Sequence, residues 1–180
     1  MTGSRSDLEI ALRAAIRDVP GFPKPGIVFK DITPLLGEAD LFARATGAMA
    51  EPFRNKGITH VAAIESRGFI FGAPIASALG AGFVPVRKRG KLPFRTESIE
   101  YALEYGTDAL EVHVDACSSG GRVLVVDDVL ATGGTAAAAC QLLEKVGAIV
   151  IGCSVLLSLD SLRGADRLAG RDVRTLLRFE

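Results

Sequence analysis

An α/β fold with a mainly parallel central sheet flanked by helices is what this 180-residue sequence predicts. Two observations carry the prediction. Near-continuous apolar runs, HVAAIE from His60, FVPV from Phe83, RVLVV from Arg122 and AIVIGCSVLL from Ala148, alternate with helix-compatible segments at 69–79 and 134–146. Strands that lack a polar face are covered on both sides, which is the environment of a parallel sheet. The length and a composition of 48% hydrophobic against 23% charged residues place the chain among self-folding single domains, able to bury roughly 70% of the surface its unfolded form exposes. Residues 1–180 are therefore read as one domain.

Taken in order, Ser6 to Glu9 reads as a capping box, and Leu8, Leu12 and Ile16 with Ala11 and Ala15 form one apolar face, so a first helix is predicted to end near Val19. Pro20, Gly21, Pro23, Pro25 and Gly26 then predict a loop without regular structure. After an extended stretch at 27–32, Asp40 is placed to cap a second helix that turns Leu41, Ala45, Ala48, Met49 and Phe53 inward, with Pro52 weakening its last turns. The alternating strands and helices follow. Residues 89–115 interrupt them; polar, punctuated and partly alternating, they predict a flexible loop leading into a hairpin turned at Gly106 to Asp108.

Charge and cysteine usage exclude several classes. Lys plus Arg equals Asp plus Glu at 21 each, so no net field draws the molecule to nucleic acid or to an anionic membrane. Cys117, Cys140 and Cys153 lack CxxC spacing and leave an odd thiol, which argues against a disulfide framework or a structural zinc and for a reducing, cytoplasmic setting. The N-terminus is polar and enters an amphipathic pattern with no apolar core suited to a signal peptide, and no apolar run reaches about 18 residues, so neither a signal peptide nor a membrane span is expected. His60 and His113 have no partner at metal-ligand spacing, and Ser66 and Ser77 lack a G-x-S-x-G setting, so no nucleophilic hydrolase is read.

The most informative segment runs from Val123 to Thr135. A buried strand leads into paired carboxylates, Asp127 and Asp128, then spacers ending at Ala131, then Thr132, Gly133, Gly134 and Thr135 opening a helix. Ligands of open α/β sheets bind at the carboxyl ends of strands. Glycines let the backbone curl around an anion, threonine hydroxyls add donors, and the helix N-terminus adds positive potential, so the loop has the chemistry of a monophosphate cradle. It lacks the lysine of a Walker loop and the GxGxxG of a dinucleotide site. Ionised carboxylates beside it suit the vicinal hydroxyls of a ribose. Phosphate and diol together describe a ribose 5-phosphate.

This segment closely resembles the phosphoribosyl diphosphate signature of the type I phosphoribosyltransferases. FPKPGIVFKDITPLL, ESRGFIFG, VPVRKRGKLP and YALEYG extend the resemblance over about residues 22–179 and narrow it to the adenine-using members of that family. The resemblance implies the family fold, with residues 1–35 as a small N-terminal hood and 89–115 as a flexible loop and hairpin. It implies transfer of the 5-phosphoribosyl group from phosphoribosyl diphosphate to adenine, giving AMP and diphosphate. Asp127, Asp128 and the loop from Ala131 to Thr135 are implied to hold the ribose phosphate, and Ser66, Arg67, Arg87, Lys88 and Lys91 the diphosphate. Val28, Phe29 and Lys30 are implied to stack on and read adenine, and Glu104, with Tyr105 and Arg67, to serve the chemistry, Glu104 receiving the proton the base loses. Mg2+ is implied as a cofactor bound mainly through phosphoribosyl diphosphate, with no dedicated protein cage, and a homodimer as the assembly. Two alternatives stand beside this reading: a transferase for another base, against which FKDI and LEYG argue, and a regulatory protein that senses phosphoribosyl diphosphate, against which the neutral charge argues.

Overall fold

The computed structural model describes residues 5–102 and 107–180. The chain forms two compact units, Met1–Ala48 and Met49–Glu180.

In the smaller unit, α1 (Arg5–Ala14) buries Leu8 and Leu12. The helix predicted to reach Val19 stops five residues earlier, because β1 (Arg17–Pro20) pairs antiparallel with β2 (Val28–Asp31), Arg17 opposite Asp31 and Pro20 opposite Val28. Backbone pairing with a distant segment outweighs the helical period of Ile16, and two ion pairs across the ribbon, Arg17 with Asp31 at 2.7 Å and Lys30 with Asp18 at 2.7 Å, fix the register. Ser6 lies within α1, so it does not cap it. The proline-rich connection is closed by the Gly21 amide donating to the Ile27 carbonyl at 2.7 Å, which Gly21 permits by adopting a φ of 77°. Asp31 accepts the Thr33 amide at 2.9 Å at the start of α2 (Thr33–Gly37). The Thr33 hydrogen bonds and the Arg17 guanidinium hold the Asp31 carboxyl down at about 2. Next comes α3 (Ala39–Ala50), with Asp40 inside its first turn rather than at its cap; Pro52 falls in the 3-10 turn that follows. Leu41, Ala45, Met49 and Phe53 are buried as predicted, and Ala48 is half-buried.

The larger unit comprises β3 (His60–Ile64), α4 (Arg67–Leu79), β4 (Gly82–Lys88), β5 (Thr96–Ala102), β6 (Thr107–His113), β7 (Arg122–Leu130), α5 (Gly134–Lys145), β8 (Ile149–Leu159) and β9 (Asp172–Phe179). Its sheet has seven strands in the order β5-β6-β4-β3-β7-β8-β9. Neighbours from β4 to β9 are parallel, and the β5–β6 hairpin is the antiparallel edge. The mainly parallel α/β sheet is thus as the apolar runs predicted. Val61–Ile64 and Val123–Val126 form its buried centre. Alpha-helical packing on that centre is close: a Cβ at Gly72 of α4 would lie 2.4 Å from the Ala63 Cβ, so only glycine fits.

Three boundaries differ from the sequence reading. Strand β7 runs through Asp127 and Asp128 to Leu130, held by β8 pairing of Asp127 with Val155 and of Leu130 with Ser158. Thr107 and Asp108 belong to β6, opposite Ala102 and Tyr101, so they are strand and not turn; Gly106, the other predicted turn residue, lies outside the described residues. Strand β9 carries too mixed a pattern to be predicted and is fixed by its ladder with β8. Because β3 pairs with β4 on one side and β7 on the other, the strand order reverses between β3 and β7, where α/β sheets open a crevice at the strand ends.

Candidate active site

A cleft of about 720 Å³ opens in the larger unit at the carboxyl ends of β3 and β7. The β3–α4 connection forms one wall, with Glu65, Ser66 and Arg67; the Glu65–Ser66 peptide is cis. Gly68 allows α4 to start against β7, since a Cβ there would lie 2.9 Å from Asp127 Oδ1 and 3.0 Å from the Val126 carbonyl. The opposite wall is Asp127 to Gly133 with Thr135 and Ala136. Gly133 holds a φ of 77° immediately before α5, and its carbonyl accepts the Ala137 amide at 2.9 Å. The loop therefore meets the positive end of a twelve-residue helix, as an anion cradle requires.

The paired acids carry the strongest electrostatics. Asp128 is 4% exposed, and Arg67 Nε stands 2.6 Å from its Oδ2 without aligning an N–H on it, leaving that buried oxygen without a hydrogen-bond partner. Asp127 Oδ1 accepts the Asp128 amide at 2.9 Å. Burial, then the neighbouring Asp128 charge, pushes the Asp127 carboxyl well above the usual carboxylate range. Burial also raises Asp128, against the pull of Arg67. Two carboxyls held this way in a crevice are paired acceptors with a stake in hydrogen-bond donors, which a sugar diol supplies.

Of the residues singled out in the sequence, the cleft brings together Ser66, Arg67, Lys88, Asp127, Asp128, Ala131, Thr132, Gly133 and Thr135. Gly134, Arg87 and Lys91 stand outside its wall. Arg87 instead braces the loops: its Nε donates to Glu65 Oε2 at 3.0 Å and its other guanidinium nitrogen to the Lys91 carbonyl at 2.9 Å, while Glu65 Oε2 also accepts the Lys88 amide at 2.9 Å. Glu104 and Tyr105 lie outside the described residues. Val28, Phe29 and Lys30 are on β2 of the smaller unit, where Phe29 meets Phe22 edge-to-face at 5.2 Å and Lys30 is ion-paired to Asp18. Sequence reasoning missed Glu65, Tyr101 and Asp108 as cleft residues. Tyr101 opens the YALEYG motif and could have been flagged; Asp108 carries no signal short of the hairpin register.

The lining sets four carboxylates, Glu65, Asp108, Asp127 and Asp128, against two cations, Arg67 and Lys88. No group of three His, Cys, Asp or Glu side chains suited to a metal occurs among the described residues, and none of their helices is long and apolar enough to cross a membrane.

A parallel sheet with an acid pair and an anion loop at its switch point defines a class that handles sugar phosphates, and a family model described as the phosphoribosyl transferase domain matches residues 36–175. An adenine phosphoribosyltransferase of Myxococcus xanthus is 58% identical over 168 residues, 93% of this chain and 91% of that protein. The crystal structure of adenine phosphoribosyltransferase from Rhodothermus marinus superposes with a TM-score of 0.92 at 52% identity, covering 97% of this chain and 99% of that one. The Saccharomyces cerevisiae enzyme, solved in complex with adenine and an imino-altritol bisphosphate, gives a TM-score of 0.89 at 39% identity over 96% and 99% of the two chains. The chain belongs to the adenine phosphoribosyltransferase family.

Proposed function

We infer that the chain is a purine-salvage enzyme that transfers the 5-phosphoribosyl group from phosphoribosyl diphosphate to adenine, releasing AMP and diphosphate. The observation that carries the reading is the buried Asp127–Asp128 pair, Arg67 beside it, directly adjoining the Thr/Gly loop at the start of α5. The loop amides and the hydroxyls of Thr132 and Thr135 bind the 5-phosphate, and the two carboxylates accept from the ribose hydroxyls. Arg67 and Lys88 neutralise the departing diphosphate, with backbone groups of Ser66, while Arg87 acts by bracing Glu65 and Lys91 stands near it. As the C1–diphosphate bond breaks, charge develops on the leaving oxygens and on the ring, and fixed groups positioned for that charge lower the barrier without reorganising.

Adenine recognition is assigned to Val28, Phe29 and Lys30, and acceptance of its proton to Glu104 beside Tyr105, on the family resemblance. The two compact units are taken to act as one phosphoribosyltransferase domain. Mg2+ fits the excess of carboxyl groups in the lining: bound mainly through phosphoribosyl diphosphate, with Asp127 and Asp128 as the protein groups that would help hold it, it would supply positive charge to offset the leaving diphosphate. A homodimer in the cytoplasm, with small molecules and no nucleic acid as ligands, completes the proposal on the resemblance and the neutral charge.

The test incubates the pure protein with phosphoribosyl diphosphate, Mg2+ and adenine, hypoxanthine, guanine, xanthine or orotate in turn. Nucleotide is expected from adenine alone; a folded protein that forms no AMP overturns the reading. Glu104→Gln should lower kcat about tenfold or more while the Kd for phosphoribosyl diphosphate, read by calorimetry, stays within about twofold. Full turnover in that variant would remove Glu104 from its role.

A further inference from the structure

Asp108, which carries no motif, makes a set of contacts that the ribose and diphosphate roles do not use. Its Oδ2 lies 3.2 Å from Lys88 Nζ and accepts from the Tyr101 hydroxyl at 3.4 Å, and its Oδ1 accepts the Ala109 amide at 2.8 Å. One carboxylate therefore joins the ends of β4, β5 and β6. The side chains of Asp108, Lys88 and Tyr101 line the cleft, and Lys88 is one of only two cations there among the described residues.

We propose that Asp108 is an affinity-setting residue: it holds Lys88 in an intramolecular ion pair that the diphosphate group must break to engage that lysine. The inference rests on the assignment of Lys88 to the diphosphate. The physical case is one of competition. Diphosphate offers Lys88 several charged oxygens against one shared oxygen of Asp108, so the exchange favours the ligand, yet each binding event spends the broken ion pair and leaves an uncompensated carboxylate beside an anion. The Lys88 side chain is 57% exposed, so the pair is solvent-screened and its effect on affinity is modest. The Ala109 amide, Lys88 and the Tyr101 hydroxyl lower the Asp108 carboxyl, and Asp108 raises the Lys88 ammonium, so both partners are charged at neutral pH. A weakened grip on diphosphate suits a group that must be released as product in every turnover.

The experiment titrates diphosphate with Mg2+ into the wild type, Asp108→Asn, Lys88→Gln and the double variant by calorimetry. Asp108→Asn is expected to bind about three- to tenfold more tightly. Lys88→Gln is expected to bind more weakly, and in its background the gain from Asp108→Asn should shrink below about twofold. Glu100→Gln removes an equal charge from the exposed Glu100–Arg89 pair of the same hairpin and should leave the Kd unchanged. If Asp108→Asn fails to fold, Asp108→Ser takes its place. Unchanged or weaker binding by the Asp108 variant, with Lys88→Gln weakened, overturns this inference alone. If Lys88→Gln binds as the wild type does, the assignment of Lys88 falls and the inference with it. A full gain from Asp108→Asn in the double variant, or an equal gain from Glu100→Gln, replaces the ion pair with a general charge effect and also overturns it.

Discussion

Gly164→Ala should cut kcat/KM for phosphoribosyl diphosphate about a hundredfold, although residue 164 is outside the cleft. The 3-10 segment Gly164–Leu168 runs beneath the anion loop with backbone against backbone. A Cβ at Gly164 would lie 2.1 Å from the Ala131 carbonyl oxygen and 2.9 Å from the Gly133 nitrogen, and a Cβ at Gly133 would lie 2.1 Å from the Gly164 carbonyl oxygen. Neither neighbour is a flexible side chain, so the loop itself must move by an ångström or more. The loop amides proposed to bind the phosphate would lose their alignment over such a distance, and misplacements of that size cost about 10²-fold. Gly133→Ala should do at least as much harm, since it adds the strain of a φ of 77°. Steady-state kinetics should show the loss in KM for phosphoribosyl diphosphate more than in KM for adenine. Gly47→Ala, inside α3 with nothing within 4 Å of the added methyl, is the control and should stabilise by about 0.5–1 kcal/mol with activity unchanged. A Gly164→Ala enzyme within twofold of wild type would show that the segment does not hold the loop.

Asp127→Asn should make a protein that is more stable and much less active. Burial and the adjacent Asp128 charge raise the Asp127 carboxyl well above its ordinary value of 3.8. A folded pKa above the unfolded one means that the native state binds the proton more tightly, so this contribution to stability is complete below the unfolded value and is lost as pH rises through the folded value. At any pH above the unfolded value, Asp127 therefore destabilises the fold relative to a neutral side chain of the same shape. Asparagine keeps the shape and an oxygen to accept the Asp128 amide, and removes the charge. The gain should be about 1–2 kcal/mol, a few degrees in Tm, on the plateau above the folded pKa, and should fade toward zero as pH falls to about 4 and below. The carboxyl group proposed to accept from a ribose hydroxyl is lost in exchange, which should lower kcat/KM for phosphoribosyl diphosphate about 10²-fold. Thermal melts across pH beside kinetics at neutral pH check both halves. A variant less stable than wild type at pH 8 would contradict the electrostatic account, and one with full activity would release Asp127 from the ribose.

Much of the larger unit was legible because its signals are local. Each covered strand is an uninterrupted apolar run, so β3, β4, β7 and β8 could be placed from residues within reach of one another, and α4 and α5 from the segments between them. The elements that escaped are those whose conformation is decided by a remote partner. Arg17–Pro20 continues a helical apolar pattern, yet its backbone groups find Val28–Asp31 across the seven residues 21–27, a pairing that no local period reveals. Asp172–Phe179 alternates weakly and is a strand because β8 lies beside it.

The site divides along the same line. By itself the sequence determined the chemistry on offer: an acid pair, a Thr/Gly loop before a helix, and basic residues at a strand end, which are properties of contiguous residues. Only the tertiary structure decided which of them share a cleft. It brought Arg67 to Asp128 across sixty-one positions, turned Arg87 aside to brace Glu65, and set Asp108 against Lys88. It also put Gly164 under Gly133, where contact distance leaves no room for a methyl group. Residue type and order fix what a group can do, but charge pairing and steric exclusion act over a few ångströms, and the strand order of the folded sheet sets which groups come that close.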